Sequence, residues 1–103
     1  MTLGFIGIDP DTGKSGSPTV WVEEETADLI FQGITADDEL VALVSSREWA
    51  PGHDAGIPAH ETVVRIPARL VPIIRKACDA AERAQLRGVA ERRSDDSGTS
   101  GDA

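Results

Sequence analysis

Residues 61 to 86, ETVVRIPARLVPIIRKACDAAERAQL, constrain the fold more than any other stretch of the chain. Leu70, Ile73, Ile74, Ala77, Ala81 and Ala84 recur at the three- and four-residue spacing that lines one side of an α-helix. Arg69, Arg75, Lys76, Asp79, Glu82 and Arg83 take the other side. The spacing predicts an amphipathic helix that opens at Pro67 and closes at Gly88, a residue suited to a C-cap. The missing N–H of Pro72 is tolerated only in a first turn. Either the regular helix begins near Arg69, or Pro72 kinks it. Ahead of the helix, Thr62, Val64 and Ile66 alternate with Val63 and Arg65, which predicts a strand over 61–66.

Three further strands precede this unit: Leu3–Ile8, Thr19–Glu23 and residues 29–33. Asp9-Pro10-Asp11-Thr12-Gly13 is a turn signal between the first two. An acidic turn around Glu24-Glu25-Thr26-Ala27 joins the next pair. With any even-length turn, Val20, Val22, Leu29 and Phe31 share one face, and Trp21 and Ile30, with Ile34 nearby, share the other. Thr35 is a good N-cap for a short helix with Asp37, Asp38 and Glu39 in its first turn and Leu40, Leu43 and Val44 as its apolar stripe. Residues 47–60, REWAPGHDAGIPAH, form a long loop that Trp49 is expected to pin. The order β-β-β-α-β-α predicts an α+β fold, a small and mostly antiparallel four-stranded sheet with two helices packed on one face. The expected domain covers residues 1–87, and residues 88–103 read as a disordered polar tail.

Charge divides the chain. Residues 1–64 hold twelve acids and two bases, a net of −10, while residues 65–94 hold eight bases and three acids, a net of +5. With −8 overall, the chain is repelled by nucleic acid at long range. The basic helix is expected to serve the chain's own acidic half, or a phosphate backbone as the alternative. Cys78 is the single cysteine, so an intrachain disulfide is impossible. The apolar run Leu3–Ile8 is too short for a signal peptide, and no stretch approaches the ~20 apolar residues of a membrane helix. A cytoplasmic protein with no membrane association is expected.

Gly7-Ile8-Asp9-Pro10-Asp11-Thr12-Gly13-Lys14-Ser15 invites a phosphate-loop reading, and the spacing fails it. Five residues separate Gly7 from Gly13 where the motif needs four, and Gly16-Ser17-Pro18 leads into a strand rather than a helix. The same stretch, FIGIDPDTGKSG, resembles the first strand and turn of ribonuclease-H-like nucleases of the Holliday-junction resolvase type. That resemblance implies a metal-binding carboxylate at Asp9, but it spans about ten residues and departs from the pattern at Asp11. Two-metal chemistry also needs carboxylates from distant strands. An Asp-Pro turn is the plainer reading. His53, His60 and Cys78 lack metal-ligand spacing, and Cys78 is expected to pack as a small apolar residue within its helix. Arg69, Arg75, Lys76 and Arg83 are the candidate anion contacts, interrupted by Asp79 and Glu82. No metal, cofactor or catalytic residue is expected.

FIGIDPDTG, SPTVWVEEE and ETVVRIPARLVPIIRKACDAAE together resemble a group of small actinobacterial (Streptomyces-type) proteins encoded beside helix-turn-helix regulators, loosely the bald-B type of developmental regulator. The resemblance covers about 60 residues and carries no catalytic motif. It implies a dimeric accessory to a transcription regulator rather than an enzyme. From the residues themselves, two helices on one face of a small sheet leave Trp21, Ile30 and Ile34 as an interaction surface, expected to pair with a second copy. A helix-turn-helix regulator is the other expected partner. A DNA-binding regulator using the last helix and a metal-dependent nuclease fragment using Asp9 stand as alternatives.

Overall fold

The computed structural model describes residues 1–100 apart from Thr12, Lys14 and Ser15, with side chains described as far as Val89. Lys14 and Ser15, the end of the rejected phosphate-loop reading, thus lie outside the described residues. The chain is α+β and forms two compact units. The first joins residues 1–32 to the chain from Pro67 onward, and the second is residues 33–66.

In the first unit, β1 (Leu3–Ile8), β2 (Thr19–Glu23) and β3 (Leu29–Gln32) form an antiparallel sheet in the order β1-β2-β3. Val20 pairs with Phe31, Trp21 with Ile30 and Val22 with Leu29, the register expected from an even-length turn. The turn closes through Glu23 N–H to the Asp28 carbonyl, 2.8 Å, with Ala27 at φ 64°. A 3₁₀ turn, Ala68–Leu70, leads into α2 (Val71–Ser100). Pro72 therefore sits in the first turn of α2, where no intrahelical donor is needed. Val20 and Val22 from the sheet, and Leu70, Ala77 and Ala84 from the helical segment, are buried, while Ile73, Ile74 and Ala81 are half-buried. The stripe read from spacing is thus the side of α2 that meets the sheet. Helical backbone continues beyond Gly88, which is not among the residues with positive φ. A glycine inside a helix costs about 1 kcal/mol relative to alanine, too little to stop a helix between residues such as Arg87 and Ala90. Of the tail expected over 88–103, residues 101–103 lie outside the described residues.

Gly7 has a packing role. It lies within β1 beneath Ile73, and a Cβ built there would come 2.8 Å from Ile73 Cγ2. The absent side chain lets α2 approach the strand. Gly7→Ala should therefore destabilise the protein by about 1–3 kcal/mol, the usual cost of overpacking. Urea unfolding checks this, and an unchanged midpoint would mean that Ile73 moves aside freely.

The second unit departs from expectation. The expected fourth strand pairs only over β5 (Val64–Arg65), and its partner is a separate short strand, β4 (Ile34–Thr35). The result is two sheets of three and two strands rather than one of four. Gly33 separates β3 from β4, and glycine in a strand interior weakens it. A Cβ at Gly33 would lie 2.6 Å from Ile66 Cδ1 and 3.1 Å from the Arg65 carbonyl oxygen, so this break packs closely on the end of β5. The helix α1 (Asp38–Ser45) belongs to this unit, not to the one that holds the three-stranded sheet and α2, and none of its residues is fully buried. Its N-cap is Asp37 rather than Thr35: an Asp37 carboxylate oxygen accepts from Leu40 N–H at 2.9 Å. Thr35 is committed to the β4 ladder instead.

Candidate interaction face

The register of the three-stranded sheet decides which side chains meet. Leu3 lies opposite Glu23, Phe5 opposite Trp21, and Trp21 opposite Ile30. A bulge between Phe5 and Gly7 resets the alternation, so that Gly7 faces Val20 and Ile8 faces Thr19. Leu3, Phe5, Ile8, Trp21 and Ile30 therefore share the face opposite α2. Phe5, Trp21 and Ile30 form a row across all three strands, with opposed Cβ atoms about 4.5–5.5 Å apart in such pairs. Phe5 remains 62% exposed, Leu3 46% and Ile8 48%, while Trp21 and Ile30 are half-buried. Glu23 and Asp28 stand at one end of this face, leaving its centre apolar.

The expected surface is thus reached in part and enlarged in part. Trp21 and Ile30 come together as read. Ile34 lies on β4 in the other unit and is not part of their sheet. Leu3, Phe5 and Ile8 join them, although strand parity alone could not reveal this. The bulge is invisible in the sequence, and without it Ile8 would fall on the helix side.

At the end of β1, Asp9 continues the ladder through its N–H to the Pro18 carbonyl, 2.9 Å. One Asp9 carboxylate oxygen accepts from Asp11 N–H at 2.9 Å, closing the Asp-Pro turn. Arg69 grips both carboxylate oxygens: Nε donates to Oδ1 at 2.7 Å and Nη2 to Oδ2 at 2.6 Å. The Asp9 side chain is fully buried, whereas that of Arg69 is 43% exposed. The hydrogen bonds from Arg69 hold the Asp9 carboxyl below its ordinary value of 3.8 against the opposing effect of burial, and Asp9 in turn pushes Arg69 upward. This two-pronged bond joins the end of β1 to the turn that starts α2. The Arg69 guanidinium, a candidate anion contact, is already engaged. The acid proposed to hold a metal has its charge balanced by an arginine 60 positions away.

Arg75, Lys76 and Arg83 are exposed on α2. Lys76 and Arg83, with Asp79 and Ala80, form one wall of a shallow groove of about 400 Å³ whose other wall is Phe5 and Ile6. A larger groove of about 600 Å³ lies between the β2–β3 turn and α2, lined in part by Glu25, Ala27, Glu82 and Leu86. Glu25 accepts from Thr2 N–H at 2.8 Å, which lowers its pKa. Cys78 is exposed, contrary to expectation, because one residue beyond buried Ala77 turns it about 100° from the sheet. In the second unit Trp49 is 61% exposed. Its indole N–H bonds the Val44 carbonyl in the last turn of α1 at 2.7 Å, and Arg47 stacks on its ring at 3.9 Å. His53 and His60 are exposed. Among the described residues no group of three or more His, Cys, Asp or Glu side chains is arranged to hold a metal ion, and no helix is long and apolar enough to cross a membrane.

No protein-family model, no curated protein and no solved structure matches the chain.

Proposed function

We propose that this chain is a non-enzymatic interaction module of an actinobacterial cytoplasm, which pairs with itself through the open face of its three-stranded sheet and serves as an accessory to a transcription regulator. The observation that carries this reading is the row Phe5, Trp21 and Ile30, extended by Leu3 and Ile8, on the face opposite α2. An apolar centre with Glu23 and Asp28 at the edge has the layout of an interface with a dry core and a polar rim. A two-fold axis through the row sets it against its own copy without opposing like charges at the centre. The regulator as partner rests on the resemblance of the three segments quoted above.

Two other readings have less behind them. Binding of DNA along α2 would have to accommodate Asp79 and Glu82 among the cations, with Arg69 already committed to Asp9. Metal-dependent cleavage at Asp9 would require Arg69 to release both carboxylate oxygens.

Light scattering tests the homodimer. The wild type should scatter as a particle of about twice the 10.9 kDa chain mass, and Trp21→Glu should scatter as a monomer with an unchanged far-ultraviolet circular dichroism spectrum. A wild type that stays monomeric at high micromolar concentration would sink the homodimer.

A further inference from the structure

The groove between β1 and α2 sets two cations beside an apolar lining, whereas the centre of the sheet face is apolar throughout. Lys76 and Arg83 stand seven residues apart, two helical turns, so they occupy the same wall about 10 Å from one another along the axis. Among the described residues neither is held in an ion pair. Phe5, Ile6 and Ala80 supply an apolar lining between strand and helix. We propose that this groove binds an extended acidic segment of a partner protein, with carboxylates on Lys76 and Arg83 and an apolar side chain against Phe5 and Ile6.

Charge selects this occupant over nucleic acid. A polyanion approaching the groove meets Asp79 at close quarters and a chain of net charge −8 at long range. A segment with a few spaced carboxylates between apolar residues carries less charge than a polyanion, meets less of both repulsions and gains from the apolar lining. A second copy of the chain does not supply such a segment from its densest acidic stretches. Glu23 to Asp28 are folded into the tight β2–β3 turn, and Asp37, Asp38 and Glu39 form the start of α1. The bulge between Phe5 and Gly7 interrupts regular strand addition along the edge of β1, so recognition rests on side chains rather than on a new ladder. The groove shares Phe5 with the row assigned to the homodimer, and Lys76 and Arg83, which the row does not contain, tell the two sites apart.

The test uses a fluorescein-labelled peptide of glutamates spaced among valine and threonine, a matched peptide with lysines in place of the glutamates, and a DNA duplex as competitor, read by fluorescence anisotropy on the full chain. The acidic peptide should bind more tightly than its lysine counterpart and weaken as salt rises. Lys76→Glu with Arg83→Glu should weaken binding by about tenfold or more, and the milder Lys76→Gln with Arg83→Gln should weaken it in the same direction. Both positions are exposed, so circular dichroism should show an unchanged fold for either double variant. Trp21→Glu should retain the peptide. Equal binding of the two peptides, undiminished binding to both double variants, displacement by the duplex, or loss of the peptide in Trp21→Glu would each overturn the proposal.

Discussion

Leu70→Ala is expected to destabilise the protein by about 2–5 kcal/mol, measured by urea unfolding. Leu70 is fully buried, and it is placed where the 3₁₀ turn hands over to α2. Truncation removes three carbons from a site whose neighbours are held by the sheet on one side and by the start of a long helix on the other, so little collapse can fill the void. Small domains have total stabilities of about 5–15 kcal/mol, and a core limited to five buried apolar residues among those described puts this one toward the lower end. Partial unfolding at room temperature is then the expected phenotype. Leu86→Ala is the matched control: the same substitution at a side chain 69% exposed should change stability by no more than about 0.5 kcal/mol. Equal effects at the two positions would mean that α2 meets the sheet through another face.

Arg69→Met should lower the melting temperature strongly at neutral pH and much less in acid. The substitution keeps much of the aliphatic stem and leaves a buried carboxylate without its guanidinium. In the wild type the Asp9 pKa is depressed below 3.8, first by the Arg69 hydrogen bonds. The stability linked to that depression is fully present above 3.8 and is lost as pH falls through the lower folded value. In the variant, burial acts on Asp9 without the arginine and raises its pKa, so the variant regains stability on acidification where the wild type does not. The gap between the two melting temperatures should therefore be widest near pH 7 and close below pH 3.8. Arg75→Met, which alters an exposed arginine of the same helix, should shift the melting curve little at either pH. A gap of constant size across the pH range would show that Arg69 acts through packing alone.

The sequence by itself determined the local elements wherever a single periodicity operates. Five apolar positions at helical spacing in α2, with Leu70 in the turn before it, fixed the side that meets the sheet, because a side chain's place on a helix depends only on its residue number. The pairing of Val20 with Phe31 followed from the parity of one turn. Trp21 and Ile30 were legible as face-mates for the same reason. What only the tertiary structure decided are relations between distant segments. The Asp9–Arg69 bond joins residues 60 apart, and each alone reads as a turn residue or a surface cation. The bulge in β1 that places Ile8 beside Phe5 leaves no mark on composition or period. The split into two sheets turns on Gly33 and on a strand that pairs over two residues, an outcome set by which partner strand arrives rather than by propensity. Secondary structure is a short-range property of the chain; register across strands, and the ion pair that locks a helix to a sheet, exist only once separate segments have met.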